Sequence, residues 1–143
     1  MPNYTIREIT TLPHMLAQYP LIKQLNPDMQ EAAYEALLKQ MLPNGYRMAG
    51  IFDEDGVCLG LSGFWINTKL YSGKYLEIDN FVIDASSRSQ QLGKRLVDWL
   101  QVLAIKEGCQ TIMLDAYSSN QAAHKFYFRE GFNIKGYHFY KTL

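Results

Sequence analysis

The sequence predicts an α/β (α+β) fold, a mixed and mostly antiparallel central sheet flanked by helices. Two observations carry this. Three β-rich runs, 46–53, 57–70 and 75–84, follow one another with only turn sequences between them, the pattern of an antiparallel meander. The last run leads into a helical stretch, 91–108, and then into an apolar β run, 111–117. A strand–helix–strand unit of this kind is normally a right-handed parallel crossover. One parallel unit, over 75–117, therefore stands beside an antiparallel body. A chain of 143 residues, 48% hydrophobic and 20% charged, suits a single domain, 1–143, with its own core.

Each element has a local reason. "YTIREIT" (4–10) alternates and is β-rich, so it predicts a first strand. Residues 12–25 are helix-like, but Pro13 and Pro20 limit any regular stretch. "NPDMQEAAYEALLKQM" (26–41) predicts a helix capped by Asn26, with Pro27 in its first turn and Asp28 and Glu31 at its positive end. Its apolar face is expected to be Ala33, Leu37 and Met41, with Tyr34 and Leu38 beside them, and "PNG" (43–45) ends it. In the meander, "EDG" (54–56) and "YSGK" (71–74) supply the turns, and Gly60 and Gly63 mark bends. Leu92, Leu96, Leu100 and Leu103 form one stripe on the helix at 91–108, which Gly108 stops. "TIMLDAY" reads as a buried strand and "SSNQAAHKFYFREG" (118–131) as a capped helix ended by glycine. "FNIKGYHFYKTL" (132–143) reads as one or two closing strands.

Charge and cysteine usage narrow the class. Acids and bases balance at 14 each, which argues against a nucleic-acid partner held by bulk charge. Cys58 and Cys109 are too few for a disulfide framework and read as buried free thiols of a cytoplasmic protein. No run approaches the ~18 apolar residues of a membrane span, so no membrane partner is expected. His14, His124 and His138 are not spaced as a metal set, and no metal is expected.

The stretch "SSRSQQLGKRL" (86–96) lies where a strand gives way to a helix. Unpaired backbone N–H groups and a positive dipole end meet there, so an anion is a natural ligand. Ser89, Gln90, Gln91, Leu92, Gly93 and Lys94 would offer N–H groups, and Arg88 and Lys94 charge. The alternative is an ordinary serine cap with solvated cations.

The order "YLEIDNFVIDASSRSQQLGKRL" followed by "LDAYSSNQAAHKFYFREGF" resembles the GNAT (Gcn5-related) superfamily of N-acetyltransferases. In the family's Gln/Arg-x-x-Gly-x-Gly/Ala loop, Arg88 matches the first position and Gly93 the last, while Gln91 replaces the middle glycine. Asn120, Ala123, Phe126, Tyr127, Gly131 and Phe132 match the family's Asn-x-x-Ala-x-x-Phe/Leu-Tyr-x-x-x-Gly-Phe segment. The resemblance covers 75–143 by motif and 4–74 by element order.

The resemblance implies acetyl-CoA as cosubstrate, in a cleft between strands 75–84 and 111–117. The pantetheine arm would pair with the main chain of Phe81, Val82 and Ile83, and the pyrophosphate would sit on the N–H groups of 88–94. Asn120 would touch the arm and Ala123 would leave it room. Glu77 falls where several family members carry a catalytic base, and Tyr127 matches the tyrosine that protonates the leaving thiolate. The N–H near Val82 would stabilise the thioester oxygen. Asp79 and Asp115 would attract a cationic acceptor. The family also suggests a homodimer, and residues 12–45 as the acceptor-side wall. Acceptors left open are small amines, polyamines, amino-sugar antibiotics and protein amino groups, with Glu77, Asp79 and Asp115 favouring a small cationic molecule. The rival classes are a catalytically silent CoA-binding or sensing module, and a nucleotide-binding α/β domain that the N-terminal meander disfavours.

Overall fold

The computed structural model describes residues 2–143, with the side chain of Ser89 outside the described residues. Its sheet has five strands in the order β1-β2-β3-β4-β5, namely Thr5–Ile9, Arg47–Phe52, Cys58–Lys69, Gly73–Ile83 and Thr111–Leu114. The first four pair antiparallel in sequence order, and β5 pairs parallel with β4. The meander and the crossover are therefore as the turn spacing predicts.

Helices cover both faces. The α1 helix (Leu12–Leu16) and α2 (Tyr19–Leu25) each carry a proline in the first turn, which splits 12–25 into two short pieces. With α3 (Glu31–Met41) they cover one face over Met15, Ile22, Tyr34, Leu38, Met48 and Leu61. The long α4 (Leu92–Lys106) covers the other with Leu96 and Leu100 against Ala49, Phe64, Leu76 and Ile78. Last comes α5 (Gln121–Arg129), capped by the Asn120 side chain accepting from Ala123 N–H.

Five expectations are corrected. The helix expected from Asn26 begins at Glu31, because Asn26 ends α2 by donating its N–H to the Ile22 carbonyl. Its buried residues are Tyr34 and Leu38, while Leu37 is exposed. The β5 strand is four residues long and only half-buried, and both cysteines are half-buried rather than buried. Residues 132–143, expected as one or two closing strands, form no strand, and they carry large exposed side chains including Tyr137, Phe139 and Tyr140.

Candidate active site

A β-bulge in β4 shapes the site. Leu61 pairs with Val82 but Gly63 with Asp79, so Asn80 and Phe81 together oppose Ser62. Asn80 takes a left-handed conformation (φ 61°), which asparagine tolerates better than most residues. Its amide donates to the Tyr46 phenol at 3.2 Å. That phenol occupies the space of a missing side chain, since a Cβ on Gly63 would lie 1.9 Å from the Tyr46 oxygen. Glycine here is a requirement of close approach, beyond the bend read from the sequence.

The bulge reverses which side chains face which way. Before it, Leu76 and Ile78 pack on the α4 side, so Glu77 and Asp79 face the opposite side. After it, Phe81 and Ile83 pack on the α4 side and Val82 joins the core beneath α1–α3. The main chain also divides. Asp84 N–H donates to Leu59 O at 2.7 Å, so by two-residue alternation Val82 turns its main-chain groups to β3. Those of Phe81 and Ile83 face away from β3. The β4–β5 pairing runs only from Tyr75–Thr111 to Ile78–Leu114, so beyond that point the two strands leave an open edge. The sequence expectation is a main-chain donor near Val82, with the main chain of Phe81, Val82 and Ile83 serving the ligand; the Val82 groups point to β3. Its neighbours hold the free groups.

Beyond Ile83 the chain makes a 3-10 turn, Ala85–Gln90, before α4. Gln24 clamps its start, donating to Asp84 at 2.8 Å and accepting from Ala85 N–H at 3.0 Å. The Ser86 hydroxyl and Gln24 amide hold the Asp84 carboxyl below the usual carboxylate range. The Tyr4 phenol donates to the Gln90 side chain. Gln91 adopts the left-handed conformation (φ 58°, ψ 25°) at the start of α4. The irregular member of the loop thus keeps a backbone shape that glycine usually supplies. Arg88 Nε donates to the Ile83 carbonyl at 3.3 Å. The Lys94 ammonium is paired with Asp98 (3.3 Å) and Glu130 (3.4 Å). A Cβ on Gly93 would make only ordinary contact with Phe126 at 3.4 Å and Ile83 at 3.7 Å, so the packing around the start of α4 does not itself demand glycine there.

Tyr127 lies in an aromatic nest, with ring centroids 5.1 Å from Phe126, 5.5 Å from Phe132 and 6.2 Å from Phe81. Burial pushes its phenol up to about 12. On the other face, Glu77 opposes Met113 in the parallel register. Asp115 follows directly after the end of β5. Burial raises the Glu77 carboxyl above its ordinary value, and Asp115 and Asp79 raise it further, against Lys69 and His138. Two other acids singled out in the sequence therefore act electrostatically on Glu77. Asp79 accepts from Trp65 Nε1 at 2.9 Å, and Asp115 meets His138 at 3.2 Å. A recess of about 170 Å³ runs from Asp79 and Asn80 to Ile22, Met29, Leu38 and Tyr46.

A family model described as Acetyltransferase (GNAT) family matches residues 10–132. The chain belongs to the GNAT acetyltransferase family. An aminoalkylphosphonate N-acetyltransferase of Salmonella typhimurium is 27% identical over 90 residues, 62% of this chain. The match spans 58% of that relative's length. Aminoglycoside N-acetyltransferase AAC(6')-Iy in complex with CoA has a TM-score of 0.82 at 21% identity, over 99% of this chain and 96% of that one. Glucosamine-6-phosphate N-acetyltransferase from Arabidopsis thaliana gives 0.74 at 22% identity, over 98% of each chain. At these identities the structures establish a common fold.

In this GNAT protein, sequence reasoning missed Tyr46, Trp65 and Asn80, which support the bulge and the acid face. The one available signal was Gly63, whose absent side chain the Tyr46 phenol requires.

Proposed function

We propose that this protein moves the acetyl group of acetyl-CoA to a primary amine by direct attack in a ternary complex, with residues 1–143 acting as one domain. The observation that carries the reading is the open β4 edge after the bulge, leading into the left-handed turn at Gln91 and the N-terminus of α4. That edge offers paired donors and acceptors to an extended amide chain, as an added strand would. The N–H groups of 88–94 offer an anion site to a pyrophosphate. Asn120 uses Oδ1 in its own cap, which leaves its NH₂ for the pantetheine arm. Ala123 keeps that side of α5 low.

Acetyl-CoA supplies the activated thioester. The free donors for its carbonyl oxygen belong to Phe81 and Ile83. An ammonium has no lone pair, so Glu77 takes the proton from the acceptor, directly or through water. Its raised pKa suits a base better than an ordinary surface glutamate would be. Tyr127 stays protonated through neutral pH and donates to the departing thiolate. The recess at Asp79 takes the apolar part of a small cationic amine and holds its charge against Asp79 and Asp115. Positioning in a dry cleft supplies much of the rate. We place the reaction in the cytoplasm, where the free thiols of Cys58 and Cys109 persist.

The test mixes protein, acetyl-CoA and a panel of amines and follows thiol release. Turnover is expected with small cationic amines. Acetyl-CoA binding without turnover on any amine would leave the silent module as the function, and no binding would remove both readings.

A further inference from the structure

The recess between α3 and the sheet has a definite size and lining. It holds about 170 Å³ and is walled by Ile22, Met29, Tyr34, Leu38, Met41 and Tyr46. Ile22, Tyr34, Leu38 and Tyr46 are buried, so the core itself fixes most of this wall. Tyr46 is held further by the Asn80 amide and by the Trp65 ring, whose centroid lies 5.2 Å away. The Tyr34 hydroxyl already donates to the Met15 carbonyl at 2.8 Å. Among the described lining residues the one charged group is Asp79.

This lining selects by chemistry. A second ammonium, or the hydroxyls of a sugar, would lie against Ile22, Leu38 and Met41 and lose water without replacement bonds. An anionic group would meet Asp79, with Glu77 beyond it. An apolar group gains by entering, and the volume says how large. A cavity of about 150 Å³ lined by apolar side chains takes one benzene. The recess therefore suits one six-membered ring and is too small for two. The thioethers of Met29 and Met41 and the rings of Tyr34 and Tyr46 favour an aromatic ring over an aliphatic one.

The distance to the chemistry sets the tether. Glu77 and Asp79 lie two residues apart on one side of β4, before the bulge, which separates them by about 7 Å along the strand. A hydrogen bond from an amine to Glu77 takes up about 3 Å of that. Three bonds of an extended chain span about 3.8 Å. A ring that enters the recess at Asp79 thus reaches the nitrogen through two carbons.

We infer that the acceptor is a primary amine bearing one aromatic ring on a two-carbon tether, with the ring in the recess and the nitrogen between Asp79 and Glu77. This rests on the acetyl-transfer reading above and adds the acceptor's class to it. The reaction is unchanged: the C–N bond forms, the C–S bond of the thioester breaks and Glu77 takes the amine proton. Trp65 Nε1 holds one Asp79 oxygen at 2.9 Å and leaves the other to the incoming ammonium. Met29 and Leu37, both lining the recess, are specificity-determining residues.

Thiol release from acetyl-CoA is followed with ethylamine, phenethylamine, phenylbutylamine, naphthylethylamine, putrescine and glucosamine. The kcat/KM for phenethylamine is expected to exceed each of the others by at least about tenfold. Met29→Trp fills the recess and should reduce the preference for phenethylamine over ethylamine by about tenfold or more. A general loss of structure would lower both amines together and leave their ratio unchanged. Should Met29→Trp fail to fold, Leu37→Trp makes the same test from an exposed position on α3. Faster turnover of putrescine, glucosamine or naphthylethylamine than of phenethylamine overturns the assignment of the acceptor and leaves acetyl transfer standing. So does a phenethylamine preference that neither tryptophan alters. No turnover of any amine overturns both.

Discussion

Glu77 carries its charge on a crowded face, and this makes two opposite predictions from one substitution. Burial, Asp115 and Asp79 raise its pKa, so the folded state resists its ionisation. Below the ordinary value of ~4.3 the group is neutral in both folded and unfolded chains and has no effect on stability. As pH rises through the folded pKa the ionised form weakens the fold. Glu77→Gln should therefore raise Tm at pH 7 and lose that advantage at pH 3.5 to 4. On the proposed role of Glu77 as general base, the same substitution should lower kcat about 10²- to 10⁴-fold. The wild-type rate should fall as pH drops through a pKa above the ordinary glutamate range. Melting curves at two pH values and steady-state rates check both halves. Tyr127→Phe removes only a hydroxyl from a nest of rings and should leave the fold intact. It should lower kcat by about 10-fold or more while acetyl-CoA affinity, read by calorimetry, stays within about threefold.

At the level of elements, the bulge in β4 decides which main-chain groups face the open edge. A methyl on Gly63 would collide with the Tyr46 oxygen, which in turn receives the Asn80 amide. Gly63→Ala should thus displace Tyr46, cost about 1–3 kcal/mol of stability and weaken acetyl-CoA binding measurably. Gln91 gives the contrasting case. It already holds a left-handed conformation, so Gln91→Gly should leave acetyl-CoA affinity within about threefold by calorimetry. A large change would mean that the glutamine side chain itself takes part. The element order was legible because hydrophobic period and turn residues are local signals. The α4 stripe of Leu92, Leu96 and Leu100 and the glycine stops at Gly108 and Gly131 are examples. The bulge was not legible, since it depends on a tyrosine 17 positions before Gly63 and an asparagine 17 after it. The start of α3 was misplaced for a related reason. Asn26 can cap a following helix or end a preceding one, and only the packing of α2 chooses. Residues 132–143 have strand composition but no strand partner among the described residues, and composition cannot supply one.

Across the whole molecule, stability is concentrated before residue 105, and Arg47 ties that part together. Its guanidinium holds Glu8 of β1 at 2.9 Å, and Glu107 at the end of α4 at 2.9 Å, above the Phe64 ring at 5.0 Å. One side chain thus joins the first strand, the second strand and the longest helix. The proposed anion site lies at the N-terminus of α4 and this clamp at its C-terminal end, so loosening the clamp should lower global stability without abolishing acetyl-CoA binding. Arg47 hydrogen bonds hold the Glu107 carboxyl below its ordinary value. A depressed carboxylate contributes stability above its unfolded pKa of ~4.3 and loses it as pH falls through the folded value. Arg47→Gln should cost about 1–3 kcal/mol at pH 7, because charged hydrogen bonds to two carboxylates are lost. In a chain of this size that corresponds to a Tm lower by roughly 3–12 °C. The gap between variant and wild type should narrow steadily below pH ~4, where Glu107 becomes protonated in both. A gap that stays constant from pH 7 to pH 3 would show that Arg47 acts through its packing on Phe64 rather than through its ion pairs. Calorimetric scans across that range distinguish the two.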